Sequence, residues 1–272
     1  MLRIENAKVY DLSESIVAAG YAMGLNLDDF KGRAENLEKW TNRRHYDYGW
    51  FTEFLKKYES MDMLGYSFMD LCQMHSINDE KEMDSLLQSI NDVKRMMKLV
   101  QASKHSKNVK CHHNALTGIR VSFDLIYPNY ISPEMQRYHW FDIVTSSSKM
   151  HRLMKMDFSK CCNKYVTEET KANMVRYIEE YNQVLNTPVP ASLSEGEKHK
   201  KDVYEAFMKV LSNCPQGIEL FMRVSTNYMQ LQTMYFQRKD HRLKEDWGYF
   251  CKFVENLPLA QELIIGEYVN KG

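Results

Sequence analysis

The segment IRVSFDLIYP, residues 119–128, constrains the fold more than any other stretch. Ile119, Val121, Phe123 and Leu125 alternate with Arg120, Ser122 and Asp124. Side chains on a strand point to opposite faces with period two, so this pattern predicts a strand buried on one face and ended by the Tyr127-Pro128-Asn129 turn. Such a face needs apolar cover. Met83, Leu86, Leu87, Ile90, Val93, Met97 and Val100 recur at helical spacing and predict an amphipathic helix that can supply it.

The rest of the chain repeats this mixture. LRIENAKVY and LFMRVST read as further strands, and the aromatic, methionine-rich residues 46–76 read as helical. Asp11 with Glu14 has the spacing of a capping box and opens a short helix. Ser132-Pro133 is a helix start, which predicts a helix from Glu134 to about Thr145, breaking at the serines that follow. Thr167 caps another helix through Met174, Ile178 and Tyr181. Strands interspersed with long helices predict one α+β domain over 1–272, with a helical insertion at about 46–105 and a flexible linker at about 186–198.

Composition narrows the function. The 272 residues can bury one large core or two small ones. Lysine plus arginine equals aspartate plus glutamate at 36 each, so no basic field exists to hold nucleic acid broadly. No apolar run reaches the length of a membrane span, and MLRIENAKVYDL lacks the regions of a signal peptide. A cytoplasmic protein is expected. The six cysteines include no CxxC pair and are expected as free thiols. Cys111-His112-His113 has no second ligand cluster at zinc-like spacing, so no metal is expected. Glycine-rich dinucleotide loops, a Walker A sequence and a nucleophile elbow are all missing. A bound cofactor would therefore rest on side chains and helix termini.

Two stretches carry candidate chemistry. RYHWFDIVTSSSKMHRL, residues 137–153, gathers two arginines, two histidines, a lysine and three serines around Trp140 and Phe141. Hydroxyls and amides where a helix breaks can ring a phosphate, and a guanidinium adds charge-assisted bonds. Trp140 and Phe141 either stack on a planar ligand or belong to the core. NYMQLQTMYFQR, residues 227–238, begins with Asn227 and Gln230 at capping-box spacing, which accounts for both structurally. Arg238, three helical turns on, either snorkels at the edge of the stripe formed by Leu231, Met234 and Tyr235 or reaches into a pocket.

These landmarks resemble, in order, those of the flavin-dependent thymidylate synthase family. Asn227, Leu231 and Arg238 match the spacing of that family's C-terminal helix, although Met229 stands where the family has a second arginine. VYDLSESIVAAGY and HHNALTGIRVSFDLIYP resemble its first strand-and-helix and its histidine-led strand. Residues 137–152 occupy the place of its arginine-histidine-arginine and serine signature in degraded form. The resemblance implies an α+β fold with a mixed or antiparallel central sheet flanked by long helices. It implies that Arg137, His139, Asn227 and His113 hold FAD. Ser147, Ser148, Lys149 or Arg152, and Gln230 would bind a pyrimidine nucleotide, with Arg238 as the catalytic contact to the base. The implied reaction moves a one-carbon unit from methylenetetrahydrofolate to C5 of dUMP or dCMP, with reduced flavin as hydride source and NADPH as reductant. A homo-oligomer, of the tetrameric kind, would share the site. The alternative is a non-catalytic protein that binds or sequesters the nucleotide.

Overall fold

A computed structural model describes residues 1–43, 46–105, 112–189 and 192–266, with the backbone alone at 43, 46–48, 101–105, 112 and 113. The first half contains β1 (Arg3–Tyr10), α1 (Leu12–Ala18), α2 (Leu27–Thr41), β2 (Asn42–Arg43), β3 (Tyr46–Asp47), α3 (Tyr48–Leu64), α4 (Phe68–Met74) and α5 (Glu80–His105). Then come β4 (Arg120–Pro128), α6 (Ser132–Met135), β5 (Asp142–Ser146), α7 (Lys149–Arg152), α8 (Glu168–Asn186) and α9 (Leu193–Ser212). The chain finishes with β6 (Glu219–Asn227), α10 (Tyr228–Arg238) and α11 (Lys244–Glu255).

The fold is mainly helical with a small sheet of order β1-β4-β6-β5, in which β5 runs antiparallel to β6. No helix among the described residues is long and apolar enough to cross a membrane. Two compact units divide the chain: residues 1–6, 123–225 and 242–250 form one, and 7–122, 226–241 and 251 onward form the other.

In the second unit, α5 shows the stripe its sequence predicts. Leu86, Ile90, Val93, Met97 and Val100 are buried, joined by Met96. Helix α2 packs against α5, where the Trp40 indole donates to Ser85 Oγ at 3.1 Å. Asp92, fully buried, accepts from Arg33 Nε at 3.1 Å and Arg95 Nη1 at 2.7 Å. Two guanidiniums offset the desolvation of that carboxylate, and removing one would leave it only partly compensated. Helix α10 starts with Asn227 Oδ1 accepting the Gln230 N–H at 2.9 Å and buries Tyr228, Leu231 and Met234. It also holds the segment after α11. The Tyr228 hydroxyl donates to the Pro258 carbonyl at 2.6 Å, and Gln232 Nε2 donates to the carbonyls of Leu263 and Ile264 at 3.3 and 3.0 Å.

In the first unit, Val224, Met222 and Leu220 of β6 and Phe123 and Leu125 of β4 are core. Asp246, at 3% exposure, ties three segments together. It accepts from the Leu2 N–H at 2.8 Å and from the Tyr130 hydroxyl at 2.6 Å. Next to it, the Trp247 indole donates to Glu134 at 2.9 Å. Helices α8 and α9 pair through Tyr181 and Phe207, whose ring centroids lie 6.3 Å apart. Within the expected linker, α8 runs through Asn186 and α9 begins at Leu193, with Ser192 as its cap.

Several expectations are corrected. The helix predicted from Glu134 to Thr145 is instead the four-residue α6, a turn, and strand β5. Ile143, Val144 and Thr145 form a β-branched run that favours the pleated conformation, and pairing with β6 settles it. Phe141 is core, packed edge-on against Phe123 with centroids 6.1 Å apart. Asp11 makes no side-chain cap with α1. Its backbone is left-handed at φ 57°, a conformation aspartate tolerates, and its carbonyl accepts from Ser15 instead. Cys72, Cys161, Cys162, Cys214 and Cys251 are free thiols, whereas Cys111 lies outside the described residues.

Replacing Asp246 by Ala leaves the Leu2 amide and the Tyr130 hydroxyl as buried donors without an acceptor. We expect a loss of roughly 2–4 kcal/mol in urea unfolding, and a loss below about 1 kcal/mol would show that Asp246 is not the tie described here.

Burial, and then the hydrogen bond to Asp246, push the Tyr130 phenol well above its ordinary value. A raised folded value means that this stabilisation is complete below the unfolded phenol value of about 10 and fades as pH climbs beyond it. The stability gap between wild type and Tyr130→Phe should therefore be constant from about pH 7 to 9 and narrow above about pH 10. A gap that widens there would contradict this account.

Candidate functional site

The turn from β5 into α7 organises the polar stretch that the sequence singles out. Beyond the last residue of β5, the Ser147 N–H donates to the Phe221 carbonyl at 2.8 Å, and its Oγ accepts the Phe221 N–H at 3.0 Å. The side chain thus completes the strand ladder in place of a backbone carbonyl. Ser148 precedes α7 as its cap residue, with no side-chain cap bond, and its carbonyl accepts from the Arg152 N–H at 3.2 Å. Lys149 turns inward, donating to Asn129 Oδ1 at 3.0 Å, and Asn129 in turn donates to Gln216 at 2.7 Å.

Arg152 is the residue this geometry leaves exposed. Its guanidinium sits 5.7 Å from the centroid of the half-exposed Phe221 ring, and it forms no ion pair among the described residues. Arg152 and Phe221 both line two clefts of the first unit, of about 430 and 460 Å³. The smaller also takes in Arg3, Lys155, Asp157, Lys160 and Glu219. The acids there are occupied. Glu219, largely buried, accepts from Arg3 Nη2 at 2.9 Å. Ser159, and after it Lys160, hold the Asp157 carboxyl down at about 2. Arg152 and Lys155 are left as unpaired cations beside an aromatic face, an arrangement suited to a phosphate joined to a planar group.

The larger cleft is anchored differently. Asp124 accepts from Arg223 Nη1 at 3.0 Å and from Asn6 Nδ2 at 2.7 Å, and these two bonds lower its carboxyl value, Asn6 first. Ser147 lines this cleft as well. Cys161, on the wall of the smaller cleft, shares a hydrogen bond with Cys162. That bond, and burial after it, push the Cys161 thiol up, whereas the same bond, helped by Lys171, lowers the Cys162 thiol.

The other residues expected in the site fall as follows. Arg137 and His139 are exposed on the turn between α6 and β5, where the His139 ring tilts against Trp140 at 5.2 Å. Asn227 and Gln230 are buried at the first turn of α10, joined as a cap. Arg238 is half-buried in the last turn of the same helix. Eleven residues at 1.5 Å of rise put these two ends about 16 Å apart, so no single ligand atom touches both. The side chain of His113 lies outside the described residues.

Ser147, Lys149 and Arg152 are thus brought to one corner of the first unit, but two of the three serve the fold there. Arg3, Lys155 and Phe221 were not anticipated. An exposed phenylalanine in the middle of β6, between buried Leu220 and Met222, is the one local signal that could have flagged this face.

Comparison with known protein families finds no match, and no curated protein matches the chain. Among solved structures, the flavin-dependent thymidylate synthase ThyX from Helicobacter pylori, complexed with FAD and dUMP, is 14% identical. The match has a TM-score of 0.41 and covers 64% of this chain and 82% of that one. A second structure of ThyX from Helicobacter pylori with FAD and dUMP is 15% identical, again with a TM-score of 0.41, over 64% of this chain and 90% of that one.

Proposed function

We propose that the chain binds the phosphate of a pyrimidine deoxynucleotide, dUMP or dCMP, at Arg152 and transfers a one-carbon unit to C5 of the base as a flavin-dependent thymidylate synthase-like enzyme. The observation that carries the reading is the exposed, unpaired guanidinium of Arg152 over Phe221, beside Lys155. The order of landmarks along the sequence adds the reaction class. Arg152 and Lys155 neutralise the phosphate, and Phe221 offers an aromatic face to the base. Arg238 binds a pyrimidine carbonyl, fixing the ring for reaction. Ser148, with its hydroxyl uncommitted to the α7 cap, is a further phosphate donor.

The turn bearing Arg137, His139 and Trp140 presents a guanidinium, an imidazole and an indole at the surface, a donor set that fits the pyrophosphate and ring system of FAD. Asn227 and His113 complete that set in this reading. Reduced flavin, when bound, supplies the hydride, and the protein supplies orientation and charge. Methylenetetrahydrofolate is the carbon donor and NADPH the reductant. The site is shared between copies of a cytoplasmic homotetramer.

A second reading, a non-catalytic nucleotide-binding protein, is favoured by one specific observation. Ser147 and Lys149, half of the expected phosphate ligands, are committed to Phe221 and Asn129.

Calorimetric titration of dUMP and dCMP tests the phosphate role. Arg152→Ala should weaken binding by roughly 1.5–3 kcal/mol, tenfold or more. Lys149→Met, which removes only the bond to Asn129, should stay within about twofold of wild type. Equal affinities for wild type and Arg152→Ala would remove Arg152 from the site.

The base contact is tested with flavin-loaded protein. Arg238→Met keeps the apolar stem and should weaken nucleotide binding by a similar roughly 1.5–3 kcal/mol while sparing the flavin absorption band. Tritium release from C5 of the pyrimidine, given folate and NADPH, separates the two readings. Tight nucleotide binding with no release selects the non-catalytic one.

A further inference from the structure

The segment after α11 carries a buried acid with one oxygen left unsatisfied among the described residues. Glu262 lies in the π-helical turn Gln261–Ile265 at 6% exposure, and its Oε2 has no hydrogen-bond partner among the described residues. Buried carboxyl oxygens are almost always satisfied, because leaving one without a donor forfeits its hydration and returns nothing.

The backbone around this acid is held in place. The Tyr228 hydroxyl grips the Pro258 carbonyl, and the Gln232 amide grips those of Leu263 and Ile264. Between them, Leu259 is fixed at φ 52°, a left-handed conformation that a branched side chain resists. Strained residues and π turns persist where surrounding structure enforces them, and both recur at ligand sites.

Glu262 lines a cleft of about 650 Å³ within the second unit, formed by the start of α3 and residues 255–262. That volume lies in the range of small-molecule sites. Its wall is acidic: Glu53 and Glu255 join Glu262, against Lys56 as the single cation among the described lining residues. Glu53 pairs with Lys57 and Glu255 accepts from the Tyr235 hydroxyl, so Glu262 is the acid of this wall with an oxygen left over. Burial, ahead of every other influence, pushes the Glu262 carboxyl above its ordinary range, opposed by its own backbone N–H and then by Lys56. Leu257, Pro258 and Leu259 add an apolar surface to the same cleft. Among the described residues no group of three His, Cys, Asp or Glu side chains is placed to hold a metal ion, and the apolar part of the wall suits the carbon body of an organic cation.

We propose that this cleft binds a small organic cation bearing N–H donors, a primary ammonium or an amidinium, with Glu262 as its buried partner. The cation supplies both the charge and the donor that Oε2 lacks, and its carbon body rests on the apolar residues. The inference is independent of the nucleotide reading, whose residues line different clefts.

The test titrates butane-1,4-diamine and benzamidine into the full chain by calorimetry, with tetramethylammonium as a cation of equal charge per nitrogen and no N–H donor. Saturable binding of the diamine or benzamidine with Kd below about 1 mM is expected, and binding of tetramethylammonium at least about tenfold weaker. Glu262→Gln, close in shape and neutral, should weaken the better probe by at least about tenfold, with the helical circular dichroism unchanged. Glu255→Gln should weaken it less. No saturable binding of either probe to the wild type, equal binding of tetramethylammonium, or unchanged affinity in a folded Glu262→Gln protein would each overturn the proposal. The wild-type comparison of probes decides the matter alone if the variant does not fold.

Discussion

Asp246 is the tie on which the cleft beside Arg152 depends. Its two carboxylate oxygens hold the backbone of Leu2 and the hydroxyl of Tyr130, so the residue just before β1, the turn after β4 and the first turn of α11 share one buried acceptor. Arg3 follows immediately in the chain and is thereby delivered to Glu219. Glu219 is the most buried acid of the cleft wall, and with Arg3 against it the remaining cations keep their charge for a ligand.

The cleft then gains its character from what the fold uses up. Ser147 closes the ladder with Phe221, Lys149 braces Asn129, and Lys160 answers Asp157. Each is a polar side chain that, read along the sequence, is available to a phosphate. Spent on the scaffold, they leave Arg152 exposed over the Phe221 ring and Lys155 exposed in the same cleft. Binding and scaffolding thus compete for the same short stretch, and the scaffold has taken the larger share.

Local chemistry made much of the fold legible. The stripe of α5, the alternation of β4, and the caps Thr167 and Asn227 are set by residues within a few positions of one another, and the structure shows each of them. Long-range pairing defeats that kind of reading. Strand β5 looked like the body of a helix begun by Ser132-Pro133, because the partner that makes it a strand, β6, lies some eighty positions on. The commitments of Ser147 and Lys149 were hidden for the same reason, with partners 74 and 20 residues away. Asp92 and Glu262 give no local sign of burial at all, since burial of an acid is a property of neighbours that only the folded chain assembles.

The bond from the Leu2 amide to Asp246 spans 244 residues of sequence. On a ribosome adding about 5–20 residues per second, the amide waits on the order of 12–50 s for its acceptor to be made. Closure of the bond between Leu2 and Asp246 is therefore among the last long-range contacts that synthesis permits.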